Sequence, residues 1–142
     1  MALYFLDTDT MTLWLYENAH IRARFDAVAK TDRVAISLVT RVELLRGRFE
    51  AVLKAANRAE WLQAQERLLR TEEALEDGEV VPITEGAADQ FDGLRAIKKL
   101  NKMDRGDKLQ AAIALTNGAI FVTRNTKDYA NVPNLKLENW AA

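Results

Sequence analysis

The sequence predicts an α/β fold with a mostly parallel sheet, and three observations support this prediction. The chain has 142 residues, a length that fits one domain and leaves little room for a second. Hydrophobic residues make up 49% of the chain and charged residues 29%, so it can bury a core. Short apolar runs alternate with longer segments of helical periodicity, a pattern typical of βα units. We therefore expect a single domain over residues 1–142.

The apolar runs predict the strands of the sheet. Four of them are short and read as buried strands: Leu3 to Leu6, Val34 to Ile36, Val80 to Val81 and Ala119 to Val122. A fifth segment, Leu135 to Leu137, alternates apolar and charged residues, which is typical of an edge strand. The sheet is therefore predicted to have four or five strands.

The segments between these runs predict helices. Residues Arg48 to Glu79 read as one long or two shorter amphipathic helices, with Gly78 as the C-cap. Residues Thr84 to Lys99 read as a helix with Thr84 as its N-cap. Residues Asp107 to Thr116 are rich in Ala and Leu and form the third predicted helix, which stops at the following Asn-Gly pair.

The composition excludes several kinds of active site. There is no cysteine, which rules out a disulfide scaffold, a thiol nucleophile and a thiolate zinc site. The only histidine is His20, which argues against a His-pair ribonuclease or a Ser-His-Asp triad. The formal net charge is -1, so any contact with nucleic acid requires a local basic patch. Carboxylates, hydroxyl groups and a hard cation remain as the means of catalysis.

The sequence also carries an expectation about location. The longest apolar runs are far shorter than the roughly 20 residues that a bilayer requires. The N-terminal residues lack the basic segment of a signal peptide. We therefore expect a cytoplasmic protein that does not contact membranes.

Polar side chains follow the predicted strands at the edge where ligands bind in open parallel sheets. Three groups of them are found after the first, second and fourth strands: Asp7, Thr8 and Asp9; Ser37, Thr40 and Glu43; Thr123 and Asn125. Asp107 lies at the start of an otherwise apolar helix, where the helix N-terminus favours an anion. We therefore expect several oxygen donors to share one edge of the sheet.

Each of these residues also has a plainer interpretation. Asp7 or Asp9 can simply cap the first helix, Glu43 can be a solvated helix residue, and Asp107 can be an ordinary N-cap. The threonines can serve as caps or turn residues. The conjunction of three acids at equivalent edges favours a functional site. Because clustered carboxylates need a counter-charge, the pattern points to Mg²⁺ or Mn²⁺, which prefer oxygen ligands.

Four motifs together resemble one family. They are LDTD at Leu6 to Asp9, ISLVTRVELLRG at Ile36 to Gly47, GDKLQAAIAL at Gly106 to Leu115, and the block from Ile120 to Trp140. In this order and spacing, the chain resembles PIN-domain ribonucleases, specifically the toxin subunits of VapBC-type toxin–antitoxin pairs. The resemblance covers nearly the whole chain and implies a three-layer α/β/α fold.

The resemblance also assigns roles to the acids. It implies that Asp7 and Asp107 bind the metal and that Glu43 is the third catalytic acid. Asp9 stands where the family often has Asn, and Asn125 stands where PIN domains have a fourth acid. The missing charge at Asn125 argues against a tightly held second metal and leaves one-metal chemistry plausible.

The activity implied by the resemblance is metal-dependent endonucleolytic cleavage of RNA, which leaves a 5′-phosphate and a 3′-hydroxyl. Mg²⁺, or alternatively Mn²⁺, is the implied cofactor. Thr8, Thr40 and Thr123 are candidates for hydrogen bonds to the metal ligands or to phosphate, alongside Asp9 and Asn125. The implied substrate is RNA of the tRNA or rRNA class.

A cluster of cations provides a candidate surface for that RNA. Six basic residues fall within fourteen positions around Asp107: Arg95, Lys98, Lys99, Lys102, Arg105 and Lys108. Basic residues at the mouth of an acidic pocket would attract phosphates. The alternative is a solvated helix end at which lysines interact favourably with the helix dipole.

The resemblance further implies a homodimer and a small antitoxin protein that covers the acidic pocket. Two other functions stay open. A haloacid-dehalogenase-type phosphatase would use Asp7 as nucleophile and Asp9 as acid/base, but Asp107 precedes a helix where that fold needs an acid after a strand. A PIN fold that binds RNA or a partner without cleaving it is suggested by the neutral Asn125.

Overall fold

A computed structural model of the protein describes residues 1–141. Its five strands are β1 (Leu3–Leu6), β2 (Arg33–Ser37), β3 (Glu79–Val81), β4 (Ile120–Val122) and β5 (Lys136–Glu138). They form one sheet in the order β3-β2-β1-β4-β5, and every neighbouring pair is parallel. Each observed strand lies within one residue of its prediction at either end, and β5 occupies an edge as expected.

Helices connect the strands as right-sized crossovers. They are α1 (Thr8–Leu15), α2 (Ala19–Ala29), α3 (Leu38–Lys54), α4 (Arg58–Asp77), α5 (Glu85–Arg95), α6 (Arg105–Thr116) and α7 (Thr126–Tyr129), with a 3-10 turn at Lys98–Leu100. None of the helices within residues 1–141 is both long and apolar enough to cross a membrane.

The alternation of side chains along β1 divides the core into two layers. Leu3 and Phe5 pack in one apolar cluster with Ile113 of α6. Leu6 packs in a second cluster with Met11 of α1 and Ile21 of α2. Because successive side chains of a strand point to opposite faces, the sheet is covered on both sides. The predicted three-layer α/β/α fold is confirmed.

The region predicted as one or two helices between Arg48 and Glu79 contains parts of two helices. The first, α3, starts well before Arg48, because Ser37 at the end of β2 accepts a hydrogen bond from the Thr40 N–H at 3.2 Å and caps it. The second, α4, starts after Asn57, whose side chain accepts the Glu60 N–H at 3.0 Å. Capping side chains therefore set both helix starts.

Gly78 ends α4 as predicted, but not through a left-handed backbone. Its N–H donates to the Ala74 carbonyl at 3.0 Å, and its φ is -91°. A Cβ on this residue would lie 3.1 Å from the same carbonyl oxygen. Glycine is therefore favoured at this position by the close approach of two backbone segments.

Two other predicted helix limits need correction. Thr84 caps α5 as expected, accepting the Ala87 N–H at 3.2 Å, but the helix ends at Arg95 rather than Lys99. Helix α6 starts before Asp107, because Asp104 is its N-cap and accepts the Gly106 N–H at 3.0 Å. Asp107 is therefore free of the capping role.

The buried aromatic ring of Phe121 provides a test of this packing. Phe121 lies in β4, is 0% exposed and stacks against Tyr129 with ring centroids 4.7 Å apart. Phe121→Ala should lower the free energy of unfolding by about 3–5 kcal/mol in urea titrations, because the cavity cannot close fully. Leu53→Ala is the control, since Leu53 is 83% exposed, and it should change stability by less than about 0.5 kcal/mol. Equal losses in both variants would contradict the described core.

Candidate active site

Asp7 lies directly after the central strand β1 and is 5% exposed. One carboxylate oxygen accepts the Thr10 N–H at 2.8 Å and caps α1, so the capping interpretation is correct for this residue. Burial raises the pKa of Asp7, the hydroxyl groups of Thr10 and Thr123 oppose that rise, and the charge of Asp9 adds to it. The carboxylate therefore combines a structural role with an energetically costly charge.

Glu43 projects from α3 towards the same edge and is half-buried. The Thr8 hydroxyl donates to Glu43 Oε1 at 2.5 Å, and the Gln110 amide donates to the same oxygen at 3.3 Å. The other oxygen, Oε2, lies 3.6 Å from the position that a Cβ would occupy on Gly106. Glu43 is thus a hydrogen-bonded member of the cluster rather than a freely solvated helix residue.

Asp107 occupies the first turn of α6, where it is half-buried. Burial is the largest cause of its raised pKa, followed by the charges of Asp104, Glu43 and Asp7, while a hydrogen bond from Tyr129 opposes the rise. Because Glu43 and Asp7 both act on its pKa, the three acids share one electrostatic environment. The tertiary structure therefore brings together the carboxylates that follow β1, β2 and the start of α6.

Two buried polar side chains of the cluster were missed by the sequence analysis. Tyr129 is 3% exposed, and burial together with the charges of Asp107, Asp7 and Glu43 strongly raises the pKa of its phenol, so the hydroxyl group stays protonated. Gln110 is 2% exposed and touches the hydroxyl groups of the site. A glutamine inside the apolar run of α6 was a visible signal, whereas nothing in the sequence distinguished Tyr129 from a core aromatic residue.

The donor chemistry of this cluster fits a hard divalent cation. Within residues 1–141, no ion pair involves Asp7, Glu43 or Asp107, so their charges have no cationic side chain to offset them. In the same part of the chain, no group of three Asp, Glu or His side chains is arranged to hold a metal ion. Mg²⁺ is commonly bound by one or two carboxylates and several waters. The pair Asp7 and Asp107 therefore fits such an ion better than a closed three-carboxylate cage.

The remaining predicted polar residues lie at the rim. Asp9 forms an ion pair with Arg124, with Nε and Oδ2 2.6 Å apart, and both side chains are largely solvent-accessible. Thr123 is fully buried and its hydroxyl accepts the backbone N–H of Asn125 at 3.0 Å. Asn125 itself is exposed. Asp9 and Asn125 therefore contribute less to the buried cluster than Thr8, Thr40 and Thr123.

The predicted basic cluster is present beside the acids. Five of its cations form no ion pair with any residue among 1–141: Lys98, Lys99, Lys102, Arg105 and Lys108. Arg95, by contrast, pairs with Asp92 at 3.7 Å. Arg105 and Lys108 border an open groove together with Phe91 and Met103. Unpaired cations thus flank Asp107 on the first turn of α6.

Comparison with known proteins identifies the family. The model of the PIN domain family matches residues 4–135. This chain belongs to the PIN domain family. The match spans every strand up to β4 and all of the clustered acids, so the resemblance seen in the sequence is confirmed. It also contradicts the alternative of a dehalogenase-type phosphatase.

Proteins similar to this PIN domain include VapC toxins. The tRNA(fMet)-specific endonuclease VapC of Salmonella typhimurium is 29% identical over 144 residues, which covers 99% of both chains. The structure of DNA-bound VapBC from Salmonella typhimurium superposes with a TM-score of 0.80 at 26% identity, covering 99% of each chain. VapBC2 from Rickettsia felis, bound to a DNA fragment from its promoter, has a TM-score of 0.78 at 24% identity over 97% of this chain and 98% of that one.

The raised pKa of Asp107 predicts how stability depends on pH. The folded state holds this proton more tightly than the unfolded state, so wild-type stability should fall as pH rises from 3.8 through the folded-state pKa. Asp107→Asn removes that charge. In EDTA at pH 7 the variant should melt at a higher temperature than wild type, and the gain should disappear towards pH 3.8. Each 1 kcal/mol corresponds to roughly 2–4 °C in a domain of this size.

Asp77→Asn is the matched control for this prediction. Asp77 is exposed at the end of α4, next to the amino end of β3 and therefore at the opposite edge of the sheet. Its substitution should change the free energy of unfolding by less than about 0.5 kcal/mol at pH 7. A loss of stability in Asp107→Asn at neutral pH, measured by calorimetry, would contradict the uncompensated charge of Asp107.

Proposed function

We propose that this PIN domain is a divalent-metal-dependent endoribonuclease of the VapC type that acts as the toxin of a toxin–antitoxin pair. The observation that carries the proposal is the gathering of Asp7, Glu43 and Asp107 at one edge of the sheet, without a cationic side chain paired to any of them within residues 1–141. The full-length similarity to a VapC endonuclease supports it. We also propose that residues 1–142 act as one domain, and a cytoplasmic location stays a prediction.

Asp7 and Asp107 would hold Mg²⁺ or Mn²⁺. Their carboxylates are the most desolvated acids of the site, and binding a cation would offset the cost of burying their charge. When bound, such an ion lowers the pKa of a coordinated water and stabilises negative charge on a phosphodiester. One metal suffices for this chemistry, in keeping with the neutral and exposed Asn125.

Glu43 would align the attacking water. Its Oε1 already accepts hydrogen bonds from Thr8 and Gln110, which leaves Oε2 to accept a hydrogen bond from water. Attack of the water oxygen on phosphorus breaks the bond to the 3′ oxygen, and the products carry a 5′-phosphate and a 3′-hydroxyl. Thr8 and Thr40 would keep the pocket in shape through their hydrogen bonds to this acid and to Gln110.

RNA would approach across the basic residues next to Asp107. Lys98, Lys99, Lys102, Arg105 and Lys108 supply unpaired positive charge, which attracts phosphates irrespective of base sequence. The ion pair between Asp9 and Arg124 lies at the rim, where the guanidinium also feels the charge of Asp7. We propose a structured RNA of the tRNA or rRNA class as the substrate, on the basis of the VapC relative named for tRNA(fMet).

We further propose that a small antitoxin protein binds this chain and that the chain forms a homodimer. Solved structures similar to this PIN domain are VapBC assemblies. Helices α3 and α4 expose an apolar surface suited to a partner: Val42, Phe49, Val52, Leu53, Trp61, Leu62 and Leu69. An apolar cavity of about 210 Å³ between α1, α2 and α4 also includes Trp14, whose buried indole N–H has no hydrogen-bond acceptor among the described residues.

The decisive experiment is RNA cleavage by the purified protein. Incubation with total tRNA and with ribosomal RNA in Mg²⁺ or Mn²⁺ should give discrete cuts with 5′-phosphate ends, and EDTA should abolish them. Asp7→Asn and Asp107→Asn should each lower the cleavage rate at least about 100-fold, because each removes a carboxylate needed to hold the metal. Gel analysis of labelled RNA measures the rates.

Asp77→Asn is the matched carboxylate control and should cleave at the wild-type rate, since Asp77 lies at the opposite edge of the sheet. Cleavage that persists in both Asp7→Asn and Asp107→Asn would contradict the proposed site. Binding of RNA without cleavage in any pool would favour the non-cleaving PIN module, and Asn125→Asp would then test whether the missing fourth charge is the reason.

A second prediction concerns the basic cluster. The combined change of Lys98, Lys99 and Lys102 to Ala should raise KM for RNA about 10-fold and leave kcat unchanged, because these cations contact phosphates rather than the reacting atoms. The dependence of log KM on log salt should flatten by up to about 2, or roughly 0.7 for each lost phosphate contact on single-stranded RNA.

The matched control removes the same charge elsewhere, with Lys30, Lys54 and Lys136 changed to Ala. These lysines lie at the ends of α2 and α3 and at the start of β5. An equal rise of KM in this control would show that net charge alone, rather than the cluster beside Asp107, attracts RNA.

A further inference from the structure

A glutamine side chain lies fully buried among the hydroxyl groups of the acidic site. Gln110 is 2% exposed and is followed in α6 by four residues that are completely buried and apolar, Ala111 to Ala114. An amide placed in such surroundings costs free energy unless its donors and acceptor are satisfied. Its hydrogen-bond partners therefore indicate what the side chain does.

All of the side-chain partners of Gln110 belong to the site. The Thr40 hydroxyl donates to the amide oxygen at 3.0 Å. The amide nitrogen donates to Glu43 Oε1 at 3.3 Å and to the Thr8 hydroxyl oxygen at 3.4 Å. The amide thus joins α6 to α1 and α3 at the point where the candidate catalytic acid is held.

Counting hydrogens gives this network one direction. A threonine hydroxyl has a single hydrogen. The hydrogen of Thr40 is used on the Gln110 oxygen, and the hydrogen of Thr8 is used on Glu43 Oε1. The donors therefore run from Thr40 through Gln110 to Glu43, and the carboxylate at the end of the chain accepts twice at one oxygen.

We propose that Gln110 is a positioning residue that orients the Glu43 carboxylate for catalysis. Two donors hold Oε1, which leaves Oε2 on the side of Gly106 as the oxygen available to water. The inference rests on the proposed nuclease function and adds to it a residue that acts only through Glu43. Groups that orient such a carboxylate commonly change activity about 10–100-fold when they are removed.

Kinetics on RNA test this role with an apolar side chain of similar size. Gln110→Met should lower kcat about 10-fold or more and leave KM within about twofold, because the substrate contacts remain intact. Thr40→Val should lower kcat in the same way, and Thr40→Ser should restore it by returning the hydroxyl group. The double variant Gln110→Met/Thr40→Val should lose no more than Gln110→Met alone, since the two side chains act in series.

Thr71→Val separates positioning from loss of a buried polar group. Thr71 in α4 is 1% exposed, and its hydroxyl accepts a hydrogen bond from Arg48 Nε at 3.0 Å, outside the network of Gln110. This control should lower the melting temperature and keep the wild-type kcat. A similar loss of kcat in Thr71→Val, or a kcat of Gln110→Met within twofold of wild type, would overturn the proposal.

A spectroscopic measurement makes the test independent of activity. In ¹H–¹⁵N spectra of the full chain, the Gln110 side-chain amide should exchange slowly with solvent and shift clearly in Glu43→Gln. It should be insensitive to Thr71→Val. Failure of the wild type to cleave any RNA while this amide responds to Glu43→Gln would refute the nuclease and keep the contact, whereas an amide that ignores Glu43→Gln would overturn the positioning role itself.

Discussion

The structure depends on a concentration of negative charge at the carboxyl edge of a parallel sheet. The central strand β1 ends in Asp7, and its neighbours β2 and β4 end in residues whose side chains meet Asp7 from either side. Burial and mutual repulsion raise the pKa of Asp7 and of Asp107, so the folded chain keeps these carboxylates at a cost in stability. The hydrophobic clusters on both faces of the sheet supply the free energy that makes this arrangement tolerable.

The same polar residues also build the helices that carry the site. Asp7 caps α1 and Ser37 caps α3, so the turns that begin these helices are fixed by side chains at the strand ends. The helix starts then determine where Thr8, Thr40 and Glu43 project. Asp104 caps α6 in the same way and leaves Asp107 to face the cluster. Local capping and the geometry of the candidate active site are therefore parts of one construction.

Hydrogen bonding distinguishes the members of the cluster. Asp7 is held by the backbone of α1, whereas Glu43 is held by side chains from α1 and α6. Asp9, in contrast, is paired with Arg124 at the solvent-exposed rim. Acids that look alike in the sequence thus differ in burial, partners and charge balance, and these differences support separate roles in metal binding and water alignment.

The sequence by itself determined the sheet, the positions of its strands and the acids that follow them, because apolar periodicity and strand-end polarity are local patterns. It also determined the family through motifs spread along the chain. Only the tertiary structure decided that Asp104 rather than Asp107 caps α6, that Asp9 pairs with Arg124, and that Gln110 and Tyr129 join the site. Those contacts join residues far apart in the chain, and their existence depends on how helices pack across the sheet, which no local pattern encodes.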